Sequence, residues 1–199
     1  MIFSRISVVF PNFSPQKWRF MQEKTQGVVL RTLKYNDNSL IVDIYTAIRG
    51  TVSFMVKLPK SRKAALKGVF FRPLSILEID FDYRQKSALQ RIRDVRFKYV
   101  YQTLPYDPRK SSMALFLAEF LCRVLKHEEG SDTLFSYILY SLQWLDASGE
   151  GFSNFHLVFL TRLTRFLGFY PNVEEWHKGD CFDMVEACFV SSSPSRHAY

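Results

Sequence analysis

Leu74-Ser75-Ile76-Leu77-Glu78-Ile79-Asp80-Phe81-Asp82-Tyr83 alternates. Leu77, Ile79, Phe81 and Tyr83 point one way; Glu78, Asp80 and Asp82 point the other. A period of two is a strand with one buried and one wet face. Downstream, Arg84-Gln85-Lys86-Ser87 turns the chain into a further strand. There Arg91 and Arg93 flank Ile92, but Val95, Phe97 and Tyr99 then take the apolar side. Apolar side chains have moved from even to odd positions, which one inserted residue does, so a β-bulge is expected near Arg93–Asp94. Upstream, Gly27–Leu33 and Leu40–Thr46 are β-branched runs separated by the turn-rich Tyr35-Asn36-Asp37-Asn38-Ser39. Arg49-Gly50 signals another turn, and Thr51–Leu58 is a third strand. Five short strands with long connections predict a small closed barrel such as an OB-fold.

From Ser111 the period becomes helical. Met113, Leu117, Phe120, Leu121 and Val124 share one face, with Ser111 or Ser112 as the expected cap. A second helix is expected from Ser131-Asp132 through Leu134, Phe135, Ile138, Leu139, Leu142 and Leu145. A third runs from about Ser153 to Phe166, with Gly168 as its C′ residue and Pro171 beyond. The fold class is α+β, all-β then all-α. The expected divisions are 1–20, 21–104 for the OB-fold and 105–199 for the helical domain. Residues 1–20 carry no acid and no clear period. They read as a disordered extension or an upstream start, with Met21 opening the folded domain.

Charge divides along the same line. Residues 21–110 hold 18 Lys/Arg against 8 Asp/Glu; residues 111–199 hold 6 against 11. A basic front half points to polyanion binding in one module and leaves the other for different work. With 47% apolar and 16% aromatic residues the chain can build a real core, which excludes compositional disorder. Three cysteines, Cys122, Cys181 and Cys188, argue against a disulfide scaffold and fit a reducing cytoplasm. No apolar run approaches the ~20 residues that span a bilayer, so no membrane role is expected.

Two basic constellations stand out. Lys57, Lys60, Arg62, Lys63 and Lys67 lie in an acid-free run after the third strand. Cations on such a connection neutralise phosphates and release counterions; the plainer reading is a solvated loop. Arg84, Lys86, Arg91, Arg93, Arg96 and Lys98 form the second, opposed within the run by Asp94. A charged track beside aromatics is how single-strand binders work. Phe97 and Tyr99 are nonetheless read as barrel core. Catalytic patterns are missing: the four histidines are scattered, and no phosphate-binding glycine motif or paired Cys-x-x-Cys occurs. No enzyme activity, cofactor or metal is expected.

The chain resembles the bacterial recombination mediator family RecO, particularly its Bacteroidetes branch. The resemblance begins at Lys24-Thr25-Gln26-Gly27-Val28-Val29-Leu30 and Tyr35-Asn36-Asp37 and continues through Val56-Lys57-Leu58-Pro59-Lys60-Ser61 and Phe71-Arg72-Pro73-Leu74. It is most telling at Asn154-Phe155-His156-Leu157-Val158-Phe159-Leu160 and Arg165-Phe166-Leu167-Gly168-Phe169-Tyr170-Pro171. It implies an N-terminal OB-fold and a C-terminal helical domain. It also implies a mediator of the RecF pathway in DNA repair and homologous recombination, not an enzyme. Such a protein binds single- and double-stranded DNA and anneals complementary strands. It engages RecR and the acidic C-terminal tail of single-stranded-DNA-binding protein, so that RecA is loaded. Both basic constellations fall where the family's OB domain meets DNA. Many members carry a four-cysteine zinc motif where this chain reads Asn172–Cys181 without paired cysteines, so no zinc is expected. The family usually continues with further helices, so the helical domain is expected to be incomplete at its C-terminal end. The alternatives are an adaptor for an acidic protein tail and an RNA-binding OB-fold protein.

Overall fold

Met21–Asn36 forms a single strand of 16 residues, β1, and the sheet is built around it. Its first half pairs with β4 (Ile76–Tyr83) and its second with β2 (Ser39–Thr46). With β3 (Gly50–Lys57) and β5 (Arg91–Tyr99) the antiparallel order is β3-β2-β1-β4-β5. The computed structural model describes residues 21–58, 68–183 and 185–191. The expected extension, residues 1–20, lies outside them, as do Lys60, Arg62, Lys63 and Lys67.

The two sheet edges meet at one parallel bridge, Phe54–Gln90. There the Gln90 N–H donates to Ser53 O and the Met55 N–H to Gln90 O, both at 2.9 Å. Among the described residues this bridge joins the edges, rather than the full ladder of a closed barrel. A bulge bends β5 just beyond it. Phe81 faces Ile92 but Asp80 faces Asp94, so Arg93 is the inserted residue, where the parity change places it. A second bulge, at Lys98, is not foreshadowed by the pattern: Leu77 faces Phe97 while Ile76 faces Tyr99. It turns Tyr99 out of the barrel, against expectation. Phe97 stays inside, stacked on Phe70 at 4.4 Å.

A third bulge, at Leu30, interrupts the β1–β2 ladder, and by ordinary alternation β1 here serves two cores. Val29 enters the barrel core with Val42, Ile44, Phe54, Leu77, Ile79 and Phe81. Val28 and Leu30 face the other way. With Tyr45, Leu74 and Ile76 they join a second core made largely by the helices.

Those helices are α1 (Pro108–Val124), α2 (Asp132–Ala147) and α3 (Phe155–Leu163). The first starts earlier than expected. Asp107, not Ser111 or Ser112, is its cap, accepting from the Arg109 N–H, with Pro108 in the first turn. A proline there loses no helical hydrogen bond, so it opens the helix rather than blocking it. Ser131 caps α2 as expected, and Leu134, Phe135, Ile138, Leu139, Leu142 and Leu145 are all buried. Helix α3 ends earlier than its pattern suggests. Turns then lead to Gly168 at φ +82°, where the Phe169 N–H returns to Thr164 O. A small hairpin follows, β6 (Cys181–Asp183) with β7 (Cys188–Val190). No helix among the described residues is long and apolar enough to cross a membrane.

Two further contacts lock sheet to helices. The β2–β3 turn meets the α1–α2 loop glycine to glycine. A Cβ on Gly50 would lie 2.0 Å from Glu128 O, and one on Gly130 2.3 Å from the Ile48 carbonyl carbon. At the linker, the buried Asp146 carboxylate accepts from the N–H groups of Gln102 (2.9 Å), Thr103 (2.9 Å) and Leu104 (2.7 Å) and from the Tyr99 hydroxyl (3.0 Å). Burial opposes ionisation of Asp146, but these donors outweigh it and hold the carboxyl below the usual aspartate range. Buried Lys110 donates to Thr103 Oγ1 and to Asp146 O, 2.8 Å away.

Candidate nucleic-acid interface

Lys57 is the exposed last residue of β3, facing Ser39 across the ladder. The Leu58 N–H then bonds Asn38 O at 2.8 Å, which ties the departing basic segment to the β1–β2 turn. The chain returns through Phe70, stacked on Phe97, and Phe71, buried in the barrel. Both ends of the segment holding Lys60, Arg62, Lys63 and Lys67 are therefore anchored on the barrel.

Arg84 and Lys86 stand exposed on the β4–β5 turn. That turn is fixed by Gln90, a buried residue that the sequence pattern does not single out. Its side-chain oxygen accepts from the Arg84 N–H at 2.8 Å, and its amide donates to Arg84 O at 3.0 Å and Ser87 O at 2.7 Å. Because the Phe54–Gln90 bridge is parallel, Lys57 on β3 and Arg91 and Arg93 on β5 follow it in the same direction. Arg84 and Lys86 precede it. The bridge thus draws Lys57 toward the start of β5.

The outer face of β5 is not bare. Arg93 Nε lies 3.2 Å from Asp82, Arg96 Nε 2.6 Å from Glu78, and Lys98 Nζ 3.7 Å from Glu78. Arg91 is paired in register with Asp82, and Lys24 of β1 with Asp80. The hydrogen bond from Arg96, then the charges of Arg96, Lys98 and Lys24, holds the Glu78 carboxyl below the usual glutamate range. Within the run, Asp94 is the sole opposing acid; across the ladder, the wet-face acids of β4 oppose the run too. The neighbouring aromatics are engaged. Tyr83 lies under the Arg49 guanidinium at 3.9 Å, and Tyr99 bonds Asp146.

Cys181 and Cys188 sit on the β6–β7 hairpin, and among the described residues no three His, Cys, Asp or Glu side chains gather for a metal. The hairpin is held instead by Asn172, whose side chain exchanges two hydrogen bonds with the Phe189 backbone, and by Trp176, Phe182 and Phe189 packed edge to face.

Comparison with known proteins accounts for both halves in order. The family model "Recombination protein O N terminal" matches residues 21–101, and "Recombination protein O C terminal" matches residues 105–193. A protein of Phocaeicola vulgatus named DNA repair protein RecO is 54% identical over 179 residues, 90% of this chain and 74% of the relative. One of the same name from Bacteroides fragilis is 49% identical over 178 residues, 89% of this chain and 74% of its own length. Another, from Flavobacterium johnsoniae, is 39% identical over 171 residues, 85% of this chain and 71% of its own length. Matched in both halves and this similar to proteins of one name, the chain belongs to the RecO family.

Proposed function

We propose that this protein works in DNA repair and homologous recombination as a mediator of the RecF pathway. It binds single- and double-stranded DNA through residues 21–104, anneals complementary strands and helps RecA onto DNA coated by single-stranded-DNA-binding protein. The observation that carries this reading is the family match across both halves. The anchored basic segment and the exposed cations of β3, β5 and the β4–β5 turn support it. Annealing follows from electrostatics: two strands on one basic surface lose their mutual repulsion, and their bases can pair. The protein acts in the cytoplasm with RecR, and no bond-making chemistry is assigned to it.

The test is fluorescence anisotropy of a labelled single strand at several salt concentrations, followed by addition of its complement. Binding that weakens steeply with salt, then accelerated duplex formation, is the expected result. Replacing Lys57, Lys60, Arg62, Lys63 and Lys67 by alanine should weaken binding for every sequence, lowering the log–log salt slope by about 1 per lost phosphate contact. Salt-independent binding without annealing would reject the reading. An RNA competitor displacing DNA at equal concentration would favour the RNA-binding alternative.

A second reading, capture of an acidic protein tail, is favoured by a different feature. Tyr137, Tyr140, Trp144, Phe155, Val158 and Arg162 line a cleft of about 610 Å³ on α2 and α3. Aromatic walls with one cation suit the acidic tail of single-stranded-DNA-binding protein. Binding of such a peptide should survive loss of the basic segment and weaken in Arg162→Ala.

A further inference from the structure

The wet face of β4 has a role that its charge alone would not suggest. Two residues are inserted into β5 relative to β4, Arg93 and Lys98, and both are cations that reach β4 carboxylates. Arg96, between them, pairs with Glu78. The cationic side chains are 53%, 61% and 40% exposed, against 24% for Glu78 and for Asp82. The cations therefore remain open to a phosphate while their partners lie beneath. Exposed ion pairs of this kind hold their partners only weakly, so a phosphate can replace the carboxylate at little cost. Each replacement leaves a carboxylate without its cation near the incoming polyanion. Carboxylate and phosphate thus compete for the same guanidinium or ammonium group.

We propose that Glu78 and Asp82 are built-in competitors of DNA that set how tightly the β5 face holds a strand. This rests on the reading of β5 as a DNA surface. The competition keeps the bound strand exchangeable, which annealing needs, since a strand clamped at every phosphate cannot rearrange to pair.

The experiment uses the full chain and a labelled oligothymidylate in titrations across salt concentrations. The amides Glu78→Gln and Asp82→Asn keep size and remove charge. The double variant should bind several-fold more tightly at 0.1 M salt and show a steeper salt dependence. It should also anneal complementary strands more slowly. Glu150→Gln with Glu174→Gln, which removes two exposed acids outside the five-stranded sheet, changes net charge equally and should leave affinity unchanged. Arg93→Ala with Arg96→Ala and Lys98→Ala tests the underlying surface and should weaken binding. If this triple variant weakens binding but the amide variant binds like wild type, the competitor role is overturned and the DNA surface stands. Equal tightening by the Glu150→Gln, Glu174→Gln pair would also overturn it, as an effect of net charge. An unaffected triple variant would remove both the β5 surface and the competition on it.

Discussion

Gly50 shows how little freedom the junction leaves a single residue. Its φ of +68° lies in the left-handed region, and an added Cβ would meet backbone that cannot yield. Gly50→Ala should cost about 2 kcal/mol or more, read as a lower urea midpoint with unchanged slope. Leu74 is a counter-example, a side chain held at φ +62°. Its N–H donates to Val29 O and its carbonyl accepts from Tyr101, both at 2.7 Å, so the surroundings hold the unfavourable angle. Asp146 carries the strongest residue-scale prediction. Its removal in Asp146→Ala strips four donors of their acceptor and should destabilise by about 3 kcal/mol or more. Its folded pKa lies below the unfolded value of about 3.9. The carboxylate's contribution is therefore complete above that value and lost as pH falls through the folded pKa. Urea midpoints measured from pH 6 to pH 2 should drop more steeply for wild type than for Asp146→Asn.

At the scale of elements, Gln90 ties the β4–β5 turn to itself and β5 to β3. Gln90→Ala should cost about 2 kcal/mol and speed hydrogen exchange in residues 84–90, while α2 amides keep their protection relative to global stability. No local pattern marks it, because its partners are backbone groups placed by the turn. The bulges show the same limit. The one at Arg93 is legible because Val95 and Phe97 stay in the barrel core and their parity must shift. The one at Lys98 is hidden because Tyr99 is also aromatic and continues the apolar alternation in sequence, while serving the other core. The first six residues of β1 escape because Met21–Gln26 is mostly polar on both faces. The cations of the candidate site are readable one by one. Their pairing with Glu78 and Asp82 is not, because it depends on a cross-strand register altered by two insertions.

For the whole molecule, the shared core matters more than the change of texture near residue 104. Val28, Leu30, Tyr45, Leu74 and Ile76 are buried by packing with helices, so a fragment of residues 21–104 would expose them. That fragment should aggregate or remain partly unfolded, whereas residues 21–199 should unfold in one transition. Trp144 fluorescence from the helical half and amide protection of β1 and β2 should give coincident midpoints. Separate midpoints would mean that the halves are independent.

The junction formed by Gly50, Gly130 and Asp146 also gives the protein an orientation. It joins a positive front to a negative back without a hinge between them, so the molecule behaves as a fixed electric dipole. Near a polyanion such a body turns before it touches, presenting the sheet and keeping the helices outermost. On the proposed DNA-binding reading, the face that first meets the nucleic acid is then chosen during approach rather than after contact.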